Sequence, residues 1–172
     1  MSNVEIIELT SAQVELYKEF LTMGLIEDEN SFRISTQDEL YSPFPTKGSQ
    51  DSFTLGAYID SKIVGVVSFE RDGQNREKLR HKGILFRMYV SKNFRRMGIA
   101  KYLIQELLNR VQKIGDIEQI NLTVISNNEK ALKLYEAFGF KVFGIEENAI
   151  KWKSNYFTES QMVLKLRETT NT

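Results

Sequence analysis

One stretch of the chain, residues 98–113, carries apolar residues at every fourth position. The stripe consists of Ile99, Leu103, Leu107 and Val111. On a helix with 3.6 residues per turn, this spacing places the four side chains on one face, which is typical of an amphipathic helix packed against a core. Glycine is favoured just beyond a helix C-terminus, so the helix is predicted to end at Gly115.

Two further helices are predicted from the residues at their ends. The first begins at Thr10 or Ser11 and runs to about residue 23, because either hydroxyl can accept a hydrogen bond from the first turn. The second begins at Asn127 or Asn128, which can cap in the same way, and it ends before Gly139.

Seven segments have the apolar pattern of strands. They are residues 4–9, 53–59, 63–70, 83–90, 120–125, 141–147 and 160–166. Residues 60–62 predict a hairpin turn, and residues 83–90 read as a buried strand. Residues 24–50 predict loops and a short helix, while an irregular loop holding Trp152 and Tyr156 joins the last two strands. Strands grouped early and alternating with helices later predict a mixed sheet with helices on its faces.

Length and composition favour one globular domain over residues 1–166, followed by a loose tail over residues 167–172. Of the 172 residues, 41% are hydrophobic and 27% are charged, which excludes a disordered or low-complexity chain. The 23 basic and 23 acidic side chains cancel, so no global charge favours a nucleic-acid partner or an anionic membrane.

The chain has no cysteine, which excludes disulfide bonds, thiolate metal sites and a thiol nucleophile. His81 is the only histidine and lies in a polar connection, so we expect no metal site. The N-terminus carries acids where a signal peptide carries bases, and no apolar run is long enough to span a bilayer. We therefore expect a water-soluble, cytoplasmic protein.

The segment from residue 90 to residue 100 connects a predicted strand to the long helix. The helix begins with no side chain at Gly98 and a small one at Ala100. An anion can therefore approach the unpaired N–H groups of the first turn, and Arg95 and Arg96 add positive charge. A phosphate or pyrophosphate suits such a site. A tight turn with two solvated arginines explains the same residues, and both interpretations stay open on this spacing alone.

A second segment places Tyr135 on the helix that begins near residue 127. Ala131 and Phe138 are its neighbours on the helix surface, so its ring is predicted to be at least partly buried. A packed tyrosine with a structural hydrogen bond is the simpler interpretation when the segment is taken by itself.

Together the two segments resemble the GNAT N-acetyltransferase superfamily. The first reads Arg-x-x-Gly-x-Ala from Arg95 to Ala100, and the second reads Asn-x-x-Ala-x-x-Leu-Tyr-x-x-x-Gly-Phe from Asn128 to Phe140. The matching part covers roughly residues 83–143, about a third of the chain. The paired signature is specific, whereas either half alone is weak.

The resemblance implies an α/β fold with a mixed, mostly antiparallel sheet of six to seven strands, flanked by helices and splayed in the middle to admit acyl-CoA. It implies acetyl-CoA as the acyl donor. The residues that would bind it are Met88, Tyr89, Val90, Arg95, Arg96, Met97, Gly98, Ile99, Ala100, Lys101 and Asn128. It also implies that Tyr135 stands near the sulfur as general acid, and that the strand of Met88 to Val90, which often carries a bulge, pairs with the pantetheine arm.

One departure from the common pattern concerns the general base. Many members carry a glutamate on the strand before the phosphate turn, but residues 84–90 contain no acid and offer Arg87 instead. Glu70, at the end of the third strand, is the remaining candidate base, although a solvated strand end is the simpler interpretation of it.

The resemblance implies an N-acetyltransferase that transfers an acetyl group to a primary amine, either a small amine or polyamine or a peptide N-terminus. A non-catalytic acyl-CoA-binding or regulatory module with the same fold is the alternative. The acidic run at residues 27–29 either attracts a cationic acceptor or is a solvated loop. Trp152, Tyr156 and Phe157 either line the acceptor pocket, mediate a homodimer or pack in the core.

Overall fold

The computed structural model describes residues 3–73 and 76–167. Within them the strands are β1 Glu5–Leu9, β2 Ser52–Ile59, β3 Lys62–Arg71, β4 Lys82–Val90, β5 Gln119–Ile125, β6 Lys141–Trp152 and β7 Asn155–Lys165. The α-helices are α1 Val14–Glu27, α2 Thr36–Tyr41, α3 Ile99–Ile114 and α4 Glu129–Ala137. No helix in this part of the chain combines the length and the apolar character needed to cross a bilayer.

The described strands form one sheet in the order β1-β2-β3-β4-β5-β7-β6. Antiparallel pairing joins β1 to β2, β2 to β3, β5 to β7 and β6 to β7, whereas β4 and β5 run parallel. The parallel pairing spans three residue pairs, from Lys82 with Gln119 to Ile84 with Asn121. This mixed, mostly antiparallel sheet confirms the predicted fold class.

The chain divides into two compact units. The first unit contains the described residues of 1–30, 34–70 and 85–115, and the second contains those of 31–33, 71–84 and 116–172. The single domain over residues 1–166 stays a prediction. Of the predicted tail, residues 168–172 lie outside the described residues.

The core of the first unit packs α3 against the sheet. Leu103, Leu107 and Val111 of the predicted stripe have no exposed surface, and Ile99 is 1% exposed. A Cβ on Gly65 of β3 would lie 3.0–3.1 Å from side-chain atoms of Leu103 and Ile99, so the glycine permits close approach of helix and strand. The amphipathic helix predicted from the sequence is confirmed, and Gly115 follows it with a φ of 90°.

The predicted first helix is four residues too short. Thr10 caps its opening 3₁₀ turn as expected, but α1 continues through Gly24 to Glu27. A Cβ on Gly24 would lie 2.6 Å from the ring of Tyr89, so the aromatic side chain of β4 packs directly on the helix backbone. This tertiary contact outweighs the low helix propensity of glycine.

Two predictions about strands are corrected. β4 was expected to be buried, but its exposure is mixed, and Ile84 is 39% exposed. The irregular loop expected around Trp152 and Tyr156 is absent, because β6 and β7 continue as paired strands up to Trp152 and Asn155. Trp152 is thus the last residue of β6, and Tyr156 lies within β7.

Candidate active site

The turn between β4 and α3 leaves space beside the first turn of α3. Gly98 is the N-cap residue with a φ of 78°, and Arg96 also has a positive φ, 66°. A Cβ on Gly98 would meet only the ring of Tyr102, at 3.7 Å. The N–H groups of Ile99, Ala100 and Lys101 belong to the first turn, where a helix offers donors without intrahelical partners. The geometry therefore suits an anion approaching α3 along its axis.

The two arginines of this turn differ in their contacts. Arg95 forms an ion pair with Asp28, lies 5.9 Å from the ring centroid of Tyr89 and donates from Nε to the Val90 carbonyl at 3.2 Å. Arg96 is exposed. An anion at the turn thus meets one arginine already held by a carboxylate and one in solvent.

Glu27, the last residue of α1, and Asp28, which follows it, contact side chains at the end of β4 and in the turn after it. Asp28 contacts Lys92 at 3.6 Å as well as Arg95. Glu27 accepts a hydrogen bond from the hydroxyl of Tyr89 at 3.2 Å. Burial, followed by the charge of Glu27, raises the pKa of Tyr89 to about 12. These contacts connect the end of α1 to the end of β4 and to the turn before α3.

Residues Met88, Tyr89 and Val90 end β4, beyond its part paired with β5. Tyr89 is 5% exposed and its ring packs 5.4 Å from that of Phe20, so its side chain belongs to the core. Arg87, just before them, has a φ of 51° and interrupts the extended backbone, as the expected irregularity in this strand requires. Any contact of Tyr89 with a coenzyme must therefore come from its backbone.

A buried carboxylate lies beside Arg87 in the first unit. Glu39 of α2 is 1% exposed, and its Oε2 accepts a hydrogen bond from Arg87 Nη1. Its Oε1 is buried without a hydrogen bond from the described residues. Desolvation raises the pKa of Glu39, while the positive charge of Arg87 opposes the rise. Sequence reasoning missed Glu39, although an arginine in a central strand signals that an acid must come from elsewhere.

Tyr17 of α1 places a hydroxyl near Glu39 and Arg87. It has no exposed surface, and its hydroxyl lies close to Arg87, Glu39 and Ser68. Burial raises its pKa to about 12. Three hydroxyls form a chain linked by 2.8 Å hydrogen bonds. They belong to Thr46, which precedes β2, to Thr54 of β2 and to Ser68 of β3.

The second unit places the residues of the second sequence motif on α4. Asn128 caps the helix, accepting from the N–H of Ala131 at 3.2 Å. Tyr135 is 6% exposed and packs edge-on against Phe140, with ring centroids 5.7 Å apart. Burial raises the pKa of Tyr135, so its hydroxyl is protonated at neutral pH. The predicted cap, the helix end near Gly139 and the burial of the ring are all confirmed.

Glu70, the candidate base from the sequence, is half-buried near the end of β3, opposite Ser52 of β2. No group of three or more acidic or histidine side chains among the described residues could hold a metal ion. The second unit contains another buried carboxylate, Glu159, which is 1% exposed and paired with Arg33 at 2.5 Å.

Comparison with known proteins identifies the family. The model of the acetyltransferase (GNAT) family matches residues 15–140. The chain is 27% identical over 150 residues to the probable N-acetyltransferase san of Drosophila melanogaster, covering 87% of this chain and 74% of that protein. It is 26% identical to the probable spermine N(1)-acetyltransferase of Bacillus subtilis subsp. natto, covering 52% of this chain and 60% of the relative.

The fold also matches solved structures. That of a Salmonella typhimurium acetyltransferase, yncA, solved with its cofactor acetyl-CoA, has a TM-score of 0.77 and 16% sequence identity. The alignment covers 99% of this chain and 98% of that one. Because the family model spans residues from α1 to the end of the second motif, the chain belongs to the acetyltransferase (GNAT) family and is an acetyltransferase.

Proposed function

We propose that the protein transfers an acetyl group from acetyl-CoA to a primary amine. The observation that carries the proposal is the open N-terminus of α3, where Gly98 leaves the first-turn N–H groups accessible beside Arg95 and Arg96. A pyrophosphate carries negative charge and several acceptor oxygens, and those donors suit both.

The donor would be held mainly by backbone groups. Met97, Gly98, Ile99, Ala100 and Lys101 supply the phosphate turn, and the buried side chain of Ile99 leaves only its N–H group for binding. The backbone of Met88 to Val90 would pair with the pantetheine arm as an added strand. Asn128 uses its side-chain oxygen as a helix cap, so its amide NH₂ is the group available to the coenzyme.

The reaction needs no nucleophilic side chain. The neutral amine attacks the thioester carbonyl carbon, the C–N bond forms, the C–S bond breaks, and the thiolate leaves. We assign Tyr135 as the acid that protonates this thiolate, because its hydroxyl is protonated at neutral pH and its ring is held by packing. Positioning of the two substrates supplies much of the remaining acceleration.

The acceptor is proposed to be a small amine, such as a polyamine, or a peptide N-terminus. The named activities of the relatives support an amine of this kind, since one is a spermine acetyltransferase by name. The non-catalytic acyl-CoA-binding module is the second candidate. The buried Tyr135, which an enzyme uses and a module does not need, favours the enzyme.

The proposal is tested by measuring release of free coenzyme A thiol with a panel of amines. Polyamines, amino acids and short peptides with free N-termini are each incubated with acetyl-CoA and the purified protein. At least one class is expected to release thiol in proportion to protein concentration, with the acetylated amine identified by mass. Binding of acetyl-CoA without turnover of any amine would identify the non-catalytic module instead.

A further inference from the structure

Glu39, Arg87 and Tyr17 form a buried polar cluster in the first unit, and the acetyl transfer described so far gives none of the three a role. It contains one carboxylate oxygen, Glu39 Oε1, that is buried without a hydrogen bond from the described residues, and one phenol hydroxyl, Tyr17 Oη, close to Arg87 and Ser68. Leaving such an oxygen unpaired in the protein interior costs the free energy of removing it from water. A buried acceptor oxygen of this kind is usually completed by a bound water or by a ligand.

We propose that Glu39 is the general base of the acetyl transfer, taking a proton from the acceptor ammonium through its unpaired Oε1. The inference rests on the proposed function. Arg87 binds the other oxygen, Oε2, so Oε1 is the oxygen left to take the proton. Tyr17 Oη lies near Glu39 and can accept a hydrogen bond from another N–H of the ammonium or donate one to the neutral amine.

β4 has no acidic residue between positions 84 and 90, and Glu39 contacts this strand at Arg87. Arg87 lies on β4 directly before Met88 to Val90, which we assign to the thioester end of the donor. The carboxylate that many family members carry on this strand is here supplied by α2, 48 residues earlier, and is anchored to the strand by an arginine. A base beside the thioester is where the chemistry requires one.

A protonated amine must give up one proton before it attacks, and a single carboxylate is enough to take it. A protonated amine has no lone pair, so it must lose one proton before attack. Glu39 takes that proton as R–NH₃⁺ becomes R–NH₂. After the C–N bond forms, the nitrogen loses a second proton to solvent, and Tyr135 gives one to the thiolate. Glu39 and Tyr135 then exchange protons with water and return to their starting states.

Burial and charge act in opposite directions on the pKa of Glu39. Desolvation raises its pKa, Arg87 and Lys18 oppose the rise, and Tyr17 is neutral because its own pKa is about 12. Ser68 is the other polar side chain recorded near Tyr17. A carboxylate with a raised pKa is a stronger proton acceptor than an ordinary one, while Arg87 keeps it ionised.

The test compares Glu39→Gln with wild type on two acceptors of different basicity. With an ordinary primary amine, protonated at pH 7, kcat/KM of Glu39→Gln is expected to fall about 10²–10⁴-fold. With a weakly basic amine, already neutral at pH 7, the variant and wild type are expected to react at the same rate. For the basic amine, log kcat/KM of Glu39→Gln should rise by one unit per pH unit until the pH reaches the pKa of the amine. That of the wild type should level off at a lower pH.

Two further variants separate chemistry from packing. Arg87→Gln removes the charge that lowers the Glu39 pKa, so the acidic limb of the pH profile should move to higher pH while activity persists. Glu159→Gln alters the other buried carboxylate, which also has an arginine partner, and should keep the wild-type pH profile. Circular dichroism and the acetyl-CoA-induced Tm shift report whether each variant folds and still binds the donor.

Each outcome decides the inference. An equal loss on both amines in folded Glu39→Gln, matched by Arg87→Gln, would overturn it and make Glu39 a packing partner of Arg87. A change in KM alone would also overturn it, in favour of a binding role. The same basicity pattern in Glu159→Gln would transfer the base to that residue. If wild type acetylates no amine at all, the proposed function fails, which is a separate result. If Glu39→Gln does not fold, the shift predicted for Arg87→Gln decides.

Discussion

At the residue scale, the environment of Tyr135 allows a substitution that changes one atom. Its ring is buried and packed against Phe140, so Tyr135→Phe preserves shape and helix. If the hydroxyl protonates the thiolate, kcat should fall about 10²-fold while the KM for acetyl-CoA stays unchanged. Stability should fall by no more than about 1 kcal/mol. Single-turnover rates and urea unfolding measure the two effects.

The matched control is Tyr58→Phe on β2. Tyr58 also has a pKa raised by desolvation, but it belongs to no proposed step. Its substitution should leave the single-turnover rate unchanged. A wild-type single-turnover rate in Tyr135→Phe would mean that the hydroxyl serves packing alone.

At the element scale, α3 offers a comparison between its two ends. Gly98 and Gly115 both have positive φ, 78° and 90°, and both have room for a Cβ. Gly98→Val and Gly115→Val should therefore each cost roughly 1–2 kcal/mol in left-handed strain. Only at Gly98 does the new side chain stand before the first-turn N–H groups. Acetyl-CoA should raise the Tm of wild type and Gly115→Val, and the shift should be lost in Gly98→Val.

Because both variants carry the same strain, a difference between them isolates the anion site. Differential scanning fluorimetry with and without acetyl-CoA measures it. Equal shifts in the two variants would show that the coenzyme does not bind at the N-terminus of α3.

At the scale of the whole molecule, a partly buried ion pair in the second unit makes stability depend on pH. Arg71 of β3 is 5% exposed and donates to Asp116 at 2.7 Å, which lowers the pKa of that carboxyl from 3.8. A lowered carboxyl pKa contributes stability above pH 3.8 that is lost as pH falls through the folded-state value. Asp116→Asn should cost about 1 kcal/mol at pH 7, since Asp116 is solvent-exposed and Arg71 also donates to the Arg80 carbonyl.

Urea unfolding of both proteins between pH 7 and pH 3 measures this contribution. The difference between wild type and Asp116→Asn should shrink below pH 3.8 as the wild-type carboxyl becomes protonated. Asp60→Asn, in the β2–β3 turn, removes the same charge without breaking an assigned ion pair and should cost less. A pH-independent difference would mean that Asp116 stabilises the fold by packing or backbone effects.

Much of the fold was predictable because its signals act over a few residues. The α3 stripe, the Thr10 and Asn128 caps and the β2–β3 turn each depend on neighbours within about four positions. At that turn Asp60 and Ser61 both adopt positive φ, as a tight hairpin requires. The end of α1 was mispredicted for the opposite reason, since Gly24 stays helical under a ring from a strand 65 residues later.

The candidate site likewise contains residues that local sequence signals predict and one that they do not. The turn at Gly98 and the position of Tyr135 on α4 follow from motifs that are defined by residue type and spacing. Glu39 could not be found like that, because nothing near it in the chain marks it. It acquires its character only when folding removes it from water and brings Arg87 to one of its oxygens.

The sequence by itself determined the family, the order of elements and the glycine turn that opens α3, because these depend on periodicity, caps and a local backbone conformation. Only the tertiary structure decided which charges are neutralised and which polar atoms stay unpaired. Asp28 meets Arg95 across 67 residues, and Glu39 meets Arg87 across 48. Pairing and desolvation are properties of the folded chain, and they set the pKa values on which acid–base catalysis depends.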